Sequence, residues 1–410
     1  MQMKRYELLK ILLILSIPYI GSSLIQTGFP TLLPYIREEF ALSRVQVGYY
    51  STCFFFSASL LAIFSGIIVD RLGVKKGLLL GVGSLGIIAL LYGFSSSYII
   101  LLLLALIAGF GFSIITPSAN LGVMIETPSN KRAFSMGIMQ SGVGVGGLAG
   151  AIVIPMLGNY FGWRVTIQFA GFFVIVMGLL IYRYYHETIK DSSIEGNHKI
   201  NREKPPSILS NINSMVSNKQ FLFTCFFGMI LAGSSVGVIL SHFTVFLFED
   251  LHINVIAAGI GLGVFQIGGI VGRLIWGWLS DRILYGDRYK ALYLAGLVCG
   301  MLFLIPGLYL KNPQPSLLVV YVFSFCLGTS ANGWIGVYFV IISESTSEGQ
   351  TGGATGLALL FNRIGLLTAP PIFGLIADLK GNYSNSWLVF GTLILLISFL
   401  YFGLSKRVCS

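Results

Sequence analysis

The chain is 410 residues long, 55% hydrophobic, 13% aromatic and only 10% charged, with a formal net charge of +10. Soluble domains carry about a quarter charged residues, so this chain holds too few to clothe a water-exposed surface of its own size. With a mean hydropathy of +0.83 and apolar runs of about 20 residues or more, the length of a bilayer-crossing helix, the composition excludes a soluble enzyme, a nucleic-acid binder and a disordered scaffold.

The opening MQMKRYELLK has the look of a signal n-region, but the apolar run behind it is too long and lacks a small-residue cleavage site, so it is read as a retained first helix. Splitting the chain at charge clusters and turn residues predicts twelve spans, at 8–36, 44–70, 75–95, 98–126, 131–160, 163–185, 219–249, 255–281, 289–310, 315–344, 350–378 and 383–405. The runs are too long and too uniform for barrel strands, which leaves helices. The polar stretch HETIKDSSIEGNHKINREKPP divides the spans six and six. The expected domains are an N-terminal bundle over 1–185, a linker over 186–218 and a C-terminal bundle over 219–410.

With the N-terminus inside, 19 of the 26 Lys and Arg side chains fall on the cytoplasmic side and 5 on the outer side. The positive-inside rule therefore places both termini and the central loop in the cytoplasm. The short loops suit a prokaryotic inner membrane. Five scattered cysteines form no CxxC pair, so no metal site or disulfide framework is indicated and no cofactor is expected. No P-loop is present to couple transport to ATP.

The loop between spans 2 and 3 reads GIIVDRLGVKKG from Gly66 to Gly77, and that between spans 8 and 9 reads GWLSDRILYGDRYK from Gly277 to Lys290. Gly66, Asp70 and Arg71 recur at Gly277, Asp281 and Arg282, each 211 residues later. The same acid–base pair at the same place in each half marks a duplicated six-helix unit, a known transporter architecture. The string Gly66–Lys76 resembles the loop 2–3 signature of the major facilitator superfamily, with a degenerate second copy. SGVGVGGLAGA at Ser141–Ala151, followed by FGWR at Phe161–Arg164, fits the same family. The resemblance covers essentially the whole chain. It implies an all-α membrane protein with 12 transmembrane helices in two pseudo-symmetric six-helix bundles, the major facilitator fold.

The resemblance also implies a latch in which Asp70 and Asp281 face helix starts near Thr351 and Asn130, with Arg71 and Arg282 pinning it. Topogenic charge at a loop is the simpler explanation of the same residues. Gly142/Gly146, Gly146/Gly150, Gly259/Gly263 and Gly268/Gly272 are small-xxx-small pairs expected to bring helices close.

Ionisable groups deep in a span are functional candidates, since placing one at mid-membrane costs about 2.5–3.5 kcal/mol on insertion scales. Arg273 lies eight residues before Asp281, about 12 Å from the inner end of span 8. Arg363 lies thirteen residues after Gln350, about 20 Å into span 11. No deep acid exists to neutralise them, so the pair calls for an anion, and the guanidinium fork suits a carboxylate. GGIVGRLIWGWLSDR (Gly268–Arg282) is similar to span 8 of oxalate/formate exchangers and monocarboxylate porters, where the arginine matching Arg273 binds substrate carboxylate. Those oxalate exchangers also place a cation in span 11, where Arg363 is the match. A GR step before this loop is widespread in the superfamily, however, and also serves helix packing or the gate.

Gln26, Gln140, Gln266, Asn332, Trp334 and Asn362 fall at comparable depth and would complete the hydrogen bonding of a bound anion, or bond neighbouring helices instead. His242 is a candidate proton relay or a structural histidine. The leading reading is a non-enzymatic secondary carrier of a small organic anion, a carboxylate by preference, working by exchange or proton symport as a monomer in the lipid bilayer. Its partners are the anionic substrate and protons, with no nucleic acid. The rival readings are proton-coupled efflux of drugs or other amphipathic compounds, for which an acid inside span 1 is missing, and a non-transporting sensor.

Overall fold

The computed structural model describes residues 5–127, 132–185, 218–309, 315–345 and 351–406. Among them every regular element is helical. The expected linker falls outside the described residues except for Asn218, as do Asn130 and the side chains of Gly66, Asp70, Gln140 and Thr351.

Span 1 runs Arg5–Thr31 and continues as a short helix, Leu33–Glu39. Span 2 opens on a reciprocal cap: the Ser43 hydroxyl accepts from the Gln46 N–H, and the Gln46 side chain accepts from the Ser43 N–H. It runs Arg44–Leu60, slips at Leu61, and resumes in Ala62–Tyr92. Within that second helix Gly73 has φ 78°, the region that only glycine enters freely, and there span 2 gives way to span 3. Span 4 is Tyr98–Glu126. The 53-residue helix Arg132–Tyr184 would be about 80 Å long if straight, far beyond a bilayer core of about 30 Å. Gly162, at φ 75°, divides it into spans 5 and 6.

Span 7 comprises Lys219–Ala232, a π-helical turn at Gly233–Val238, and Ile239–Glu249. Span 8 is Val255–Trp278 with a π-helical end at Leu279–Ile283. Spans 9, 11 and 12 are Arg288–Tyr309, Thr351–Lys380 and Ser384–Lys406. Span 10 is interrupted, running Leu317–Ala331 and then Ile335–Glu344. Among the described residues, ten stretches are long and apolar enough to cross a membrane, and one of them, Ser141–Tyr184, holds two spans. The interrupted second span completes the twelve.

Glycine carries the tightest packing. A Cβ at Gly142 would lie 2.7 Å from the Ser16 carbonyl oxygen, one at Gly146 would collide with that of Ile20, and one at Gly150 would lie 2.6 Å from that of Leu24. The four-residue steps of span 5 thus match those of span 1, backbone against backbone. Gly268 and Gly272 meet the carbonyls of Phe325 and Thr329 in the same way, joining spans 8 and 10.

Candidate functional site

The first six spans meet the last six along seams, of which the outer part is bonded shut. Here "inner" means the face that carries the excess of Lys and Arg. The N–H groups of Arg44 and Val45, unpaired within their helix because they open it, donate to the two carboxylate oxygens of Asp378 at 2.7 and 2.8 Å. Asp378 stands at the outer end of span 11, so this cap crosses the seam. The Arg44 guanidinium reaches Glu249 at 3.2 Å and Asp250 at 3.8 Å, and lies 5.1 Å from the Tyr383 ring centre. Arg37 pairs with Glu249 as well.

Deeper in, the contacts become neutral and close. A Cβ at Gly48 would lie 2.7 Å from the Pro370 carbonyl carbon. Thr52 donates to the Leu367 carbonyl at 2.9 Å, Ser241 to Ser51 at 2.6 Å, and Thr244 to the Pro30 carbonyl at 3.1 Å. Between spans 5 and 8, Gly259 lies against Ala151 and Pro155, and Gly263 against Ile152.

Both arginines continue these contact stripes inward. On span 8 the seam-facing positions are Gly259, Gly263, Gln266 and Ile270, and Arg273 is next at helical spacing. Yet Arg273 is exposed, as is Ser141, which extends the facing stripe of span 5. The two sets of spans therefore part below Ile270. On span 11 the stripe is Asp378, Gly374, Pro370 and Leu367, and Arg363 follows, half-buried, with its guanidinium 5.8 Å from the Phe55 ring centre. Neither arginine joins an ion pair among the described residues.

Polar groups lie further out on the same seam, Gln266 being about 10 Å along span 8 from Arg273. The Gln266 amide donates to the Thr27 hydroxyl at 3.5 Å, and the Asn332 amide donates to the Gln266 carbonyl oxygen at 3.4 Å, linking spans 1, 8 and 10. Asn332 sits at the interruption of span 10. The side-chain oxygens of Asn332 and Asn362 are buried without a hydrogen-bond partner. Gln26 lines a small pocket with Ser51, Phe54, Phe55 and Leu240, the Phe55 ring being the one beneath Arg363.

Other candidates are placed differently. Trp334 is fully buried, its N–H donates to the Ala331 carbonyl at 2.8 Å, and its ring packs edge-on against Tyr338. It is a core residue of the last six spans. His242 is also fully buried, its ring nitrogens 2.9 Å from the Pro370 carbonyl and 3.2 Å from the Tyr383 hydroxyl. On span 7 it faces Pro370 of span 11 and Tyr383, not water. Of the latch residues, Arg71 and Arg282 are exposed, and a Cβ on Gly277 would meet open space. Asp281 pairs with Arg288 at the start of span 9, and Arg288 also reaches Glu344 at 3.6 Å. Among the described residues, the partner of Asp281 thus lies in its own half. Sequence reasoning missed Arg288 and Asp378; an acid at the outer end of span 11 was visible, but not that the start of span 2 lies against it.

Twelve helical spans, the two sets of six bonded to each other across their outer seams and carrying within the last six two arginines that join no ion pair among the described residues, have the architecture of a membrane transport protein. The family model described as Major Facilitator Superfamily matches residues 15–365 and 245–408, and the chain belongs to that superfamily. It is 23% identical over 378 residues to the hexuronate transporter of Bacillus subtilis (strain 168), covering 89% of this chain and 87% of that one. It is 25% identical over 368 residues to the gentisate transporter of Corynebacterium glutamicum, covering 88% and 79%. Among solved structures, a bacterial homologue of the human lysosomal transporter Spinster, in an inward-facing and unoccupied conformation, superimposes with a TM-score of 0.79 at 18% identity, covering 99% and 98% of the two chains.

Proposed function

We propose that the protein is a secondary carrier of a small carboxylate, working by alternating access in the cell membrane with both termini cytoplasmic, and that the structure describes its inward-open state. The observation that carries this is the pair Arg273 and Arg363. Two cations stand at the inner edge of closed seams without acidic partners among the described residues. A carboxylate entering there would accept two parallel charge-assisted bonds from either guanidinium. Gln266 and Asn332, already joined to each other, would hold the rest of the ligand. The substrates for which the two relatives are named, a hexuronate and gentisate, are both carboxylates. The twin bundles, 1–185 and 219–410, are the bodies that would rock about this site.

Counterflow in proteoliposomes tests the reading. Vesicles loaded with unlabelled glucuronate or gentisate should accumulate the labelled acid, and glucose should not drive it. Accumulation of a cationic dye instead, indifferent to carboxylates and to Arg273→Gln, would replace this reading with efflux. Running the assay with and without an imposed proton gradient separates exchange from symport.

A further inference from the structure

A groove lies at the inner end of the first six spans, lined by residues that the proposed carboxylate site does not use. Leu9, Lys10, Leu13, Ile14, Ile17 and Tyr184 line a groove of about 330 Å³ between the start of span 1 and the end of span 6. Its wall is apolar and its inner mouth is cationic. The Lys10 ammonium lies 6.0 Å from the Tyr184 ring centre, and the Arg183 guanidinium lies 5.7 Å from the same ring. Both cations are exposed, and neither joins an ion pair among the described residues. Leu13 is 56% exposed and Leu9 46%.

We propose that this groove binds one anionic phospholipid of the inner leaflet. The phosphate lies between Lys10 and Arg183 at the level of the Tyr184 ring, and an acyl chain runs along Leu13, Ile14 and Ile17. The chemistry is that of a basic pocket between transmembrane helices at the cytoplasmic face, which recognises lipid head groups by charge. Tyr184 ends the helix of span 6, the place where aromatic side chains concentrate at a membrane–water boundary. A free phosphate would use the cations but not the apolar wall, so the wall selects the lipid. Occupancy would tie the cytoplasmic ends of spans 1 and 6 together, on the face where the carrier is open.

The site has its own control. Lys75 lies 4.8 Å from the Tyr182 ring centre. Tyr182 is two residues from Tyr184, so about 200° around the helix. Lys75 therefore belongs to the far side of span 6.

Detergent-purified protein should melt several degrees higher with phosphatidylglycerol than with phosphatidylcholine of the same acyl chains. That gap should vanish in the Lys10→Gln/Arg183→Gln double variant and persist in Lys75→Gln. Since the attraction is between exposed charges, the gap should also shrink as salt rises from about 0.1 M to about 1 M, where the screening length falls from about 10 Å to about 3 Å. In the unmodified protein, phosphatidylglycerol with a photoreactive acyl chain should label the peptide holding Leu13 and Ile17. Unlabelled phosphatidylglycerol should compete, and phosphatidylcholine or inorganic phosphate should not. Equal melting in both lipids, a gap intact in the double variant, or labelling displaced equally by phosphatidylcholine would each overturn the proposal. None of these readouts depends on transport.

Discussion

At the scale of single residues, the account rests on side chains whose charge or bonding is unmatched inside the protein. Replacing Arg273 or Arg363 by Gln removes a charge-assisted donor worth about 1.5–3 kcal/mol. Each variant should therefore bind a carboxylate ligand about tenfold to a hundredfold more weakly while keeping its melting temperature, as isothermal titration would show. Asn332→Leu should also weaken binding, by a smaller factor, because it removes the link to Gln266 at the interruption of span 10. Trp334→Phe, by contrast, should leave affinity unchanged, since that indole bonds within its own half. The sequence made the depth of these residues legible, because rise along a helix follows from counting. It did not reveal which way each faces, because azimuth depends on neighbouring helices. Trp334 and Asn332 are two residues apart, yet only Asn332 reaches Gln266.

Helix ends and helix faces carry the next set of expectations. Asp378 takes the first two free N–H groups of span 2. Asp378→Ala should loosen the outer seam, and spin labels on the outer ends of spans 2 and 11 should report a longer distance in a larger share of molecules. An unchanged distance distribution would show that Arg37 and Arg44 close the seam without it. The close approach of spans 1 and 5 gives a second test at this scale. Gly146→Ala places a methyl group against the Ile20 carbonyl, an overpacking cost of about 1–3 kcal/mol. Gly83→Ala meets nothing within 4 Å and serves as its control. The first should lower the melting temperature and the second should not. The small-xxx-small spacing made this contact legible in advance. The outer seam was not, because its partners lie more than 300 residues apart and neither end carries a recurring motif.

For the whole molecule, twelve spans were legible because apolar runs, turn residues and the repeated Asp-Arg loops all agree, and the family match bears out the fold those features suggested. Gly73 and Gly162 turn the chain where the sequence placed loops, although the helices run through them. What no single segment could show is the state of the assembly. The outer seam is bonded from Asp378 down to Leu367, Arg363 still lies against Phe55 of span 2, and Arg273 is exposed, which is the arrangement the proposed inward-open state requires. A ligand that binds there must stabilise the folded protein in proportion to its affinity, by about 2.7 kcal/mol at a hundred times Kd. Thermal unfolding of the purified protein with glucuronate against glucose, repeated in the Arg273→Gln/Arg363→Gln variant, is the most direct measurement. The account predicts stabilisation by glucuronate alone, lost in the variant; equal responses to the acid and the sugar, or a response that survives loss of both arginines, would contradict it.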